Sequence, residues 1–178
     1  PPPDLAGHTD ASFPGVGAHA AHANASSGIS TPIPCSACHL VPSQVHSPGH
    51  ICDDLVAEVF PSDPAFHSRA QARGAEPRWD RGSATCANVY CHGGGPEQAR
   101  DAAEGIARAP SWTSATLGSC GSCHGVPPST WPHDAIRMAK KDCTICHPGT
   151  IDSDGNIIIQ DEFGLPASDH IDGVVDTF

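Results

Sequence analysis

The sequence predicts a fold of mostly irregular backbone with a few short helices, organised around bound groups rather than around a large protein core. The chain has 178 residues, of which 18 are glycine, 18 are proline and only 5% are aromatic. Its hydrophobic fraction of 38% lies below the ~45–50% of an ordinary globular domain. With so few apolar side chains, the 12 histidines and 9 cysteines are the residues best able to hold a substitute for the core.

The predicted elements are short and widely spaced. Helical patterns occur at 18–25, 98–107 and 134–141, and short extended or mixed segments occur at 53–60 and 156–160. Turn-forming pairs such as Pro127-Pro128 and Pro148-Gly149 separate them. A weak internal repeat relates 18–60 to 131–178, because both contain a histidine, a Cys-x-x-Cys-His unit, a proline and a His-Ile pair in that order. Since two further Cys-His units lie between the copies, we predict a single domain, 1–178.

The charge of the chain excludes several classes of partner. With 20 acidic and 9 basic residues the formal net charge is −11. Nucleic acids and anionic membranes reward lysine and arginine, so neither is an expected partner. No run of ~18 apolar residues is present, and we therefore expect no membrane span.

Three segments have the pattern Cys-x-x-Cys-His, which is the attachment signature of c-type haem. Two thiols add across the two vinyl groups of the porphyrin, and the adjacent histidine ligates the iron from the proximal side. The predicted attachment residues are Cys35, Cys38, Cys120, Cys123, Cys143 and Cys146, and the predicted proximal ligands are His39, His124 and His147.

A fourth segment, Cys86-Ala-Asn-Val-Tyr-Cys91-His92, has four residues between its cysteines. It keeps the Cys-His pair that fixes the iron ligand, and a longer loop can still bring the Cys86 thiol to its vinyl group. We therefore predict four covalent haems, with His92 as the fourth proximal ligand.

Two other uses of paired cysteines compete with haem. The spacing between the pairs at 120/123 and 143/146 falls within the range of zinc ribbons, and cysteine-rich exported chains often form disulfides. Neither use requires a histidine directly after the second cysteine. Because all four units have that histidine, haem is the favoured interpretation.

Each haem iron needs a second, distal ligand, and the single methionine, Met138, cannot supply four. Eight histidines remain after the proximal ones, which is enough for bis-histidine ligation of every iron. The internal repeat favours four of them, and a fifth lies three residues before one of these on the same predicted helix face. The candidate distal ligands are His22, His50, His133 and His170, with His19 as a further candidate. His8, His46 and His67 are expected at the surface or beside propionates.

Two further sets of residues are assigned by elimination. Cys52 belongs to no Cys-His unit, so we expect a small buried side chain or an intersubunit disulfide. Met138 and the three tryptophans, Trp79, Trp112 and Trp131, are expected to pack on porphyrin.

The order of these motifs resembles that of multihaem cytochromes of metal-reducing and related bacteria, which mix C-x4-C-H with C-x2-C-H motifs. The likeness covers roughly residues 15–178 and rests on Asn88-Val-Tyr-Cys91-His92-Gly93, Cys120-Gly-Ser-Cys123-His124-Gly125 and the closing His170-Ile-Asp. The resemblance implies export, bis-histidine haems and electron transfer to extracellular acceptors. Some similar cytochromes form filaments in which one subunit supplies a distal histidine to its neighbour, a role that His19 and His22 would suit.

These observations predict a tetrahaem electron-transfer protein rather than an enzyme, because an iron with two histidines has no open position for substrate. We expect a subunit of an extracellular conductive filament that associates with its own copies and with redox partners or extracellular acceptors. A monomeric periplasmic shuttle and a reductase with one open haem are the alternatives. Since haem is attached outside the cytoplasmic membrane, and the first residues have no signal-peptide pattern, the chain is expected to be the mature form of an exported protein.

Overall fold

The computed structural model describes residues 3–24, 29–47, 57–62, 66–94, 108–114, 121–129, 132–133, 142–160, 163–164 and 167–172. The prediction of mostly irregular backbone is confirmed in these segments, where helices are short and one two-stranded sheet is present. Among the described residues, helix α1 spans His19–Ala23, and 3-10 turns occupy Cys35–Ala37, Arg69–Gly74, Tyr90–His92 and Cys143–Ile145.

Helix α1 corresponds to the helix predicted at 18–25, but it is shorter at both ends. It stops at Asn24, whose backbone is extended with φ −105° and ψ 136°. The helices predicted at 98–107 and 134–141 lie outside the described residues. The same holds for 53–56, whereas 57–60 is described and forms no regular strand. In the segment at 156–160, an isolated antiparallel bridge joins Ile157 to Ile151.

A small hairpin is the feature of the fold that the sequence did not predict. Strand β1, Arg78–Asp80, pairs antiparallel with β2, Thr85–Ala87, so that Trp79 lies opposite Cys86. The Asp80 carboxylate closes the connection by accepting hydrogen bonds from the backbone N–H groups of Gly82 and Ser83, at 2.8 and 3.2 Å. Strands of three residues are too short to show an alternating pattern, so this hairpin had no clear sequence signal.

A third segment extends the ladder and brings distant parts of the chain together. Ser111 bridges Thr85, and the backbone N–H of Trp112 donates to the carbonyl of Ala84 at 2.7 Å. Trp112 thereby lies beside β2, which carries Cys86. This placement brings the Trp112 backbone next to the strand that carries the Cys86 thiol.

The protein core of the described residues is small, as the composition predicts. Its buried apolar side chains are mostly small ones, and they are Val16, Ala37, Phe66, Ala70, Ala75 and Val89. No helix among the described segments is long and apolar enough to cross a membrane.

Candidate haem-binding sites

Two of the Cys-x-x-Cys-His motifs form the same local structure. In each, a 3-10 turn begins at the first cysteine, and the backbone N–H of the histidine donates to the carbonyl of that cysteine at 2.9 Å, joining His39 to Cys35 and His147 to Cys143. One turn of chain therefore presents both thiols and the imidazole together, as covalent attachment requires. We call the sites of His39, His92, His124 and His147 sites I, II, III and IV.

Site II, with its longer motif, is built differently. Cys86 lies on strand β2, and the 3-10 turn Tyr90–His92 carries Cys91 and His92. The loop between them closes tightly, because the Gly94 N–H donates to the Val89 carbonyl at 2.9 Å. A side chain at Gly94 would lie 2.2 Å from the carbonyl carbon of Asn88. The two additional residues of this motif are accommodated because Cys86 lies on a strand and the chain then turns tightly at Gly94, where only a glycine fits.

Each of the four proximal histidines faces a second histidine of the same chain. The ring centroids are 6.3 Å apart in site I and site III, and 6.1 Å apart in site II and site IV. The opposing rings belong to His19 in site I, His22 in site II, His170 in site III and His133 in site IV.

These separations fit one iron atom between each pair of rings. Metal–imidazole bonds are about 2.0–2.1 Å long and a ring nitrogen lies about 1.1 Å from its ring centre, so rings on opposite sides of one metal have centroids about 6.2–6.4 Å apart. Direct ring stacking is much closer, as His8 and Phe13 show with centroids 3.7 Å apart and planes 5° from parallel. The four histidine pairs therefore have the spacing that two axial ligands of one iron require.

Backbone carbonyls fix which ring nitrogen can bind a metal. Nδ1 of His39 donates to the carbonyl of Glu58 at 2.6 Å, and Nδ1 of His124 donates to that of Gly125 at 2.7 Å. Because a carbonyl only accepts, each of these Nδ1 atoms carries the proton, and Nε2 keeps its lone pair for a metal.

The same pattern extends to three of the opposing histidines. His19 Nδ1 donates to the Val16 carbonyl at 2.7 Å, and His22 Nδ1 donates to the Ala18 carbonyl at 2.9 Å. His170 Nδ1 donates to the carbonyl of Ile29, which is far away in sequence. His133 differs, because its Nδ1 is buried without a hydrogen-bond partner among the described residues.

The electrostatic surroundings of site II keep its histidine neutral. Burial lowers the pKa of His92 to about 4, with a further contribution from the nearby His22. Burial likewise lowers the pKa of His170 in site III, against the opposing effect of its hydrogen bond to Ile29. A neutral imidazole is the form that binds a metal.

An apolar cleft lies at site II. Its lining includes Cys86, Cys91, His22 and His92, which are all four residues that a haem at this site would bond, with Val89 and Trp112 among its other walls. Burial raises the pKa of the Cys91 thiol to about 12 and that of Cys86 to about 11. The cleft thus brings together around one apolar space both thiols and both imidazoles, the residue set that covalent attachment and axial ligation of a haem need.

Sites I, II and III approach one another through their cysteines. Cys38 of site I also lines the cleft of site II. Burial is the main cause that raises the pKa of Cys91, Arg69 acts against it, and Cys38 and Cys123 add smaller effects, so thiols of three motifs lie near one another. His19 and His22, three residues apart on α1, link sites I and II from the opposite side.

A comparison with protein-family models identifies the central motif pair. Residues 85–124 match a family described as the Geobacter CxxxxCH...CXXCH motif. The chain carries the mixed motifs of multihaem c-type cytochromes. This match confirms the predicted resemblance to multihaem c-type cytochromes with mixed motifs, and it covers the Cys86–His92 unit and the Cys120–His124 unit. No curated protein and no solved structure gives a significant match to the chain.

The other sequence-predicted residues are placed as follows. His50, Cys52, Cys120, Trp131 and Met138 lie outside the described residues. His46 and His67 are exposed, and His8 is half-buried in a hydrogen bond to Asp4. The seven described cysteines are not joined by disulfides, and no cluster of three or more metal-binding side chains forms within the described segments.

The structure places the rings of His19 and His22 opposite two different proximal histidines of their own chain, His39 and His92. The physical reason is the spacing of α1, because residues three apart on one helix face can reach two adjacent metals but not one. His19 takes the position opposite His39, so no described proximal histidine depends on His50.

Sequence reasoning missed the residues that hold the ligands in place. Arg81 Nη2 donates to the Ala57 carbonyl at 2.9 Å, next to Glu58, whose carbonyl accepts the hydrogen bond from His39. The backbone N–H of Phe60 donates to the Cys38 carbonyl at 2.8 Å. These contacts join positions about 20 residues apart, and no local pattern in the sequence indicates them.

Replacing Cys86 with alanine tests the long motif. We expect the variant to keep haem at site II through Cys91 alone, and its absorption band to move to longer wavelength because one vinyl group stays conjugated. Mass spectrometry and the visible spectrum of the reduced protein measure this. Cys52→Ala is the matched control and leaves the spectrum unchanged. A Cys86→Ala spectrum identical to that of the native protein would show that Cys86 forms no thioether.

Proposed function

We propose that this protein is a tetrahaem electron-transfer protein in which both axial ligands of every iron come from one chain. The four pairs of histidine rings, 6.1–6.3 Å apart, are the observation that carries the proposal. When bound, haem supplies a one-electron couple at each site.

The histidines define what the sites do. With an imidazole on each side, a site offers no open position to a small molecule, so the chain is a carrier of electrons rather than a catalyst. The carbonyl hydrogen bonds to Nδ1 hold each ring in one tautomer through a change of oxidation state. Small movement of the ligands during reduction favours fast electron exchange.

We further propose that electrons pass along the sites in the order I, II, III and IV. Sites I and II share helix α1, and Cys91 of site II is within electrostatic range of Cys123 of site III. Arg69 also links the two regions, because its charge acts on the Cys91 thiol and its Nη1 donates to the Ile171 carbonyl at 3.2 Å, beside His170. Sites III and IV follow from their closeness in sequence, with His124 and His133 nine residues apart.

Coulometric reduction tests the proposed function. The protein is expected to take up four electrons per chain, to give the α-band of low-spin c-type haem, and to leave nitrite unconsumed when reduced. Turnover of nitrite with a bound intermediate would instead favour a multihaem reductase. A reduced protein without an α-band would contradict haem binding altogether.

Export and self-association belong to this proposal as well. Covalent haem is attached outside the cytoplasmic membrane, which supports a periplasmic, surface or extracellular location. Because each proximal histidine has a partner within its chain, assembly into a filament would use contacts between subunits and no exchanged ligand.

Negative-stain electron microscopy of the concentrated protein tests the filament. We expect fibres whose formation persists in His19→Ala and His22→Ala variants, since the proposed contacts do not need these ligands. Dispersed particles of subunit size at high concentration would favour a monomeric shuttle.

A further inference from the structure

We propose that Trp112 is a positioning residue that holds the distal histidines of sites I and II together. The inference rests on the proposed bis-histidine ligation of these two sites. The Trp112 indole lies against both rings: its centroid is 4.7 Å from that of His19, with the planes at 86°, and 5.6 Å from that of His22, with the planes at 34°. One side chain therefore touches the opposing ligand of two adjacent sites.

Trp112 also fixes the backbone that orients these ligands. Its Nε1–H donates to the Pro14 carbonyl at 2.9 Å. Val16 and Ala18 follow shortly after Pro14 in the chain. The Val16 carbonyl accepts the hydrogen bond from His19 Nδ1, and the Ala18 carbonyl accepts that from His22 Nδ1. The indole thus holds residues 14–18 in place, and the carbonyls of this segment set the tautomer and the orientation of both histidine rings.

The close approach of Gly17 to the Trp112 indole shows how tightly the indole packs against this segment. Gly17 is buried and has a φ of 43°, and a Cβ placed on it would lie 1.9 Å from Trp112 Nε1. Only a glycine allows the indole to approach the turn before α1 this closely.

Trp112 is anchored at its other end to the proximal side of site II. Its backbone N–H donates to the Ala84 carbonyl at 2.7 Å, and β2 then continues to Cys86. Trp79, which lies opposite Cys86 on β1, packs edge-on against Trp112 with centroids 6.3 Å apart. Trp112 therefore joins the covalent attachment of site II to the distal ligands of sites I and II.

The test compares three variants of the haem-loaded protein. Trp112→Ala removes both the ring contacts and the hydrogen bond, and Trp112→Phe keeps an aromatic ring but removes the donor to Pro14. Trp79→Phe is the matched control, because it keeps an aromatic ring against Trp112 and removes only an indole N–H that has no hydrogen-bond partner among the described residues. Each protein is measured by electron paramagnetic resonance, by redox titration and by hydrogen exchange of residues 14–24.

We expect Trp112→Ala to change the low-spin signals and midpoint potentials of two of the four haems, and to accelerate exchange across residues 14–24. Trp112→Phe should restore the ring contacts, so its spectrum should lie near that of the native protein while exchange at 14–18 remains faster. Trp79→Phe should leave both the signals and the exchange unchanged.

Two results would overturn the inference. One is a Trp112→Ala protein with all four native signals and native potentials. The other is a Trp112→Phe protein whose hydrogen exchange at residues 14–18 equals that of the native protein. This second result tests the inference even if the Trp112→Ala variant does not fold. A native protein that already contains a five-coordinate haem at site I or II would contradict the proposed ligation instead, so the two failures are distinguishable.

Discussion

Replacing His22 with alanine is expected to open one of the four haems to carbon monoxide. In the native protein His22 faces His92 at 6.1 Å, and its loss leaves the iron of site II with one protein ligand. Titration of the fully reduced variant with carbon monoxide should therefore give one equivalent bound per chain. The double variant His19→Ala, His22→Ala should bind two, because His19 faces the separate proximal ligand His39.

His67→Ala is the matched control for this experiment. His67 is exposed, and it should bind no metal, so its loss should give no carbon monoxide uptake. A reduced His22→Ala protein that binds no carbon monoxide would contradict the assignment of His22. Uptake by His50→Ala in the same experiment would then assign the distal position to His50.

Replacing Gly17 with alanine is expected to lower the free energy of unfolding by about 2–5 kcal/mol, from overpacking and from a left-handed backbone. The added Cβ would overlap the Trp112 indole, with 1.9 Å to Nε1 and 2.4 Å to Cδ1. Because the indole cannot move without losing its bond to Pro14, we also expect disturbed signals from sites I and II. Guanidinium unfolding followed by the haem absorbance measures the loss.

Gly155→Ala separates the steric effect from backbone strain. Gly155 has a φ of 86°, and a Cβ added to it would meet no atom of the described residues within 4 Å. Its substitution should therefore cost only the left-handed strain of about 1–2 kcal/mol. A Gly17→Ala protein that is no less stable than Gly155→Ala would show that the Trp112 contact is not tightly packed.

The chemistry of the sites was predictable from the sequence, because it depends on local patterns. A Cys-His unit is contained in a single turn of chain, so His39 and His147 could be assigned without a fold. The low apolar content likewise predicted irregular backbone, and the described segments confirm it.

The pairing of the ligands was not predictable in the same way. His92 meets His22, and His124 meets His170, across long stretches of chain whose spacing follows no period. The internal repeat was only a partial guide, because it treated His22 and His133 as equivalent. His133 faces His147, the proximal histidine of its own repeat. His22 instead faces His92 of site II, and His19 faces His39.

The supporting residues depended on tertiary structure even more strongly. The sequence predicts that Trp112 packs on porphyrin, but its contacts with two histidines follow from its place beside β2, directly after the bridge residue Ser111. That position comes from the backbone hydrogen bond to Ala84, and no side-chain pattern in 108–114 indicates it. Sequence thus predicts the groups that bond haem better than the groups that hold those ligands.

The near-infrared magnetic circular dichroism spectrum of the oxidised protein tests the central claim most directly, because its charge-transfer band reports the axial ligands of each low-spin iron. Bis-histidine ligation at all four sites predicts one band type, with an intensity that corresponds to four haems per chain. A band typical of histidine–methionine ligation or of high-spin haem would contradict bis-histidine ligation at all four sites, even if its intensity corresponded to a single haem.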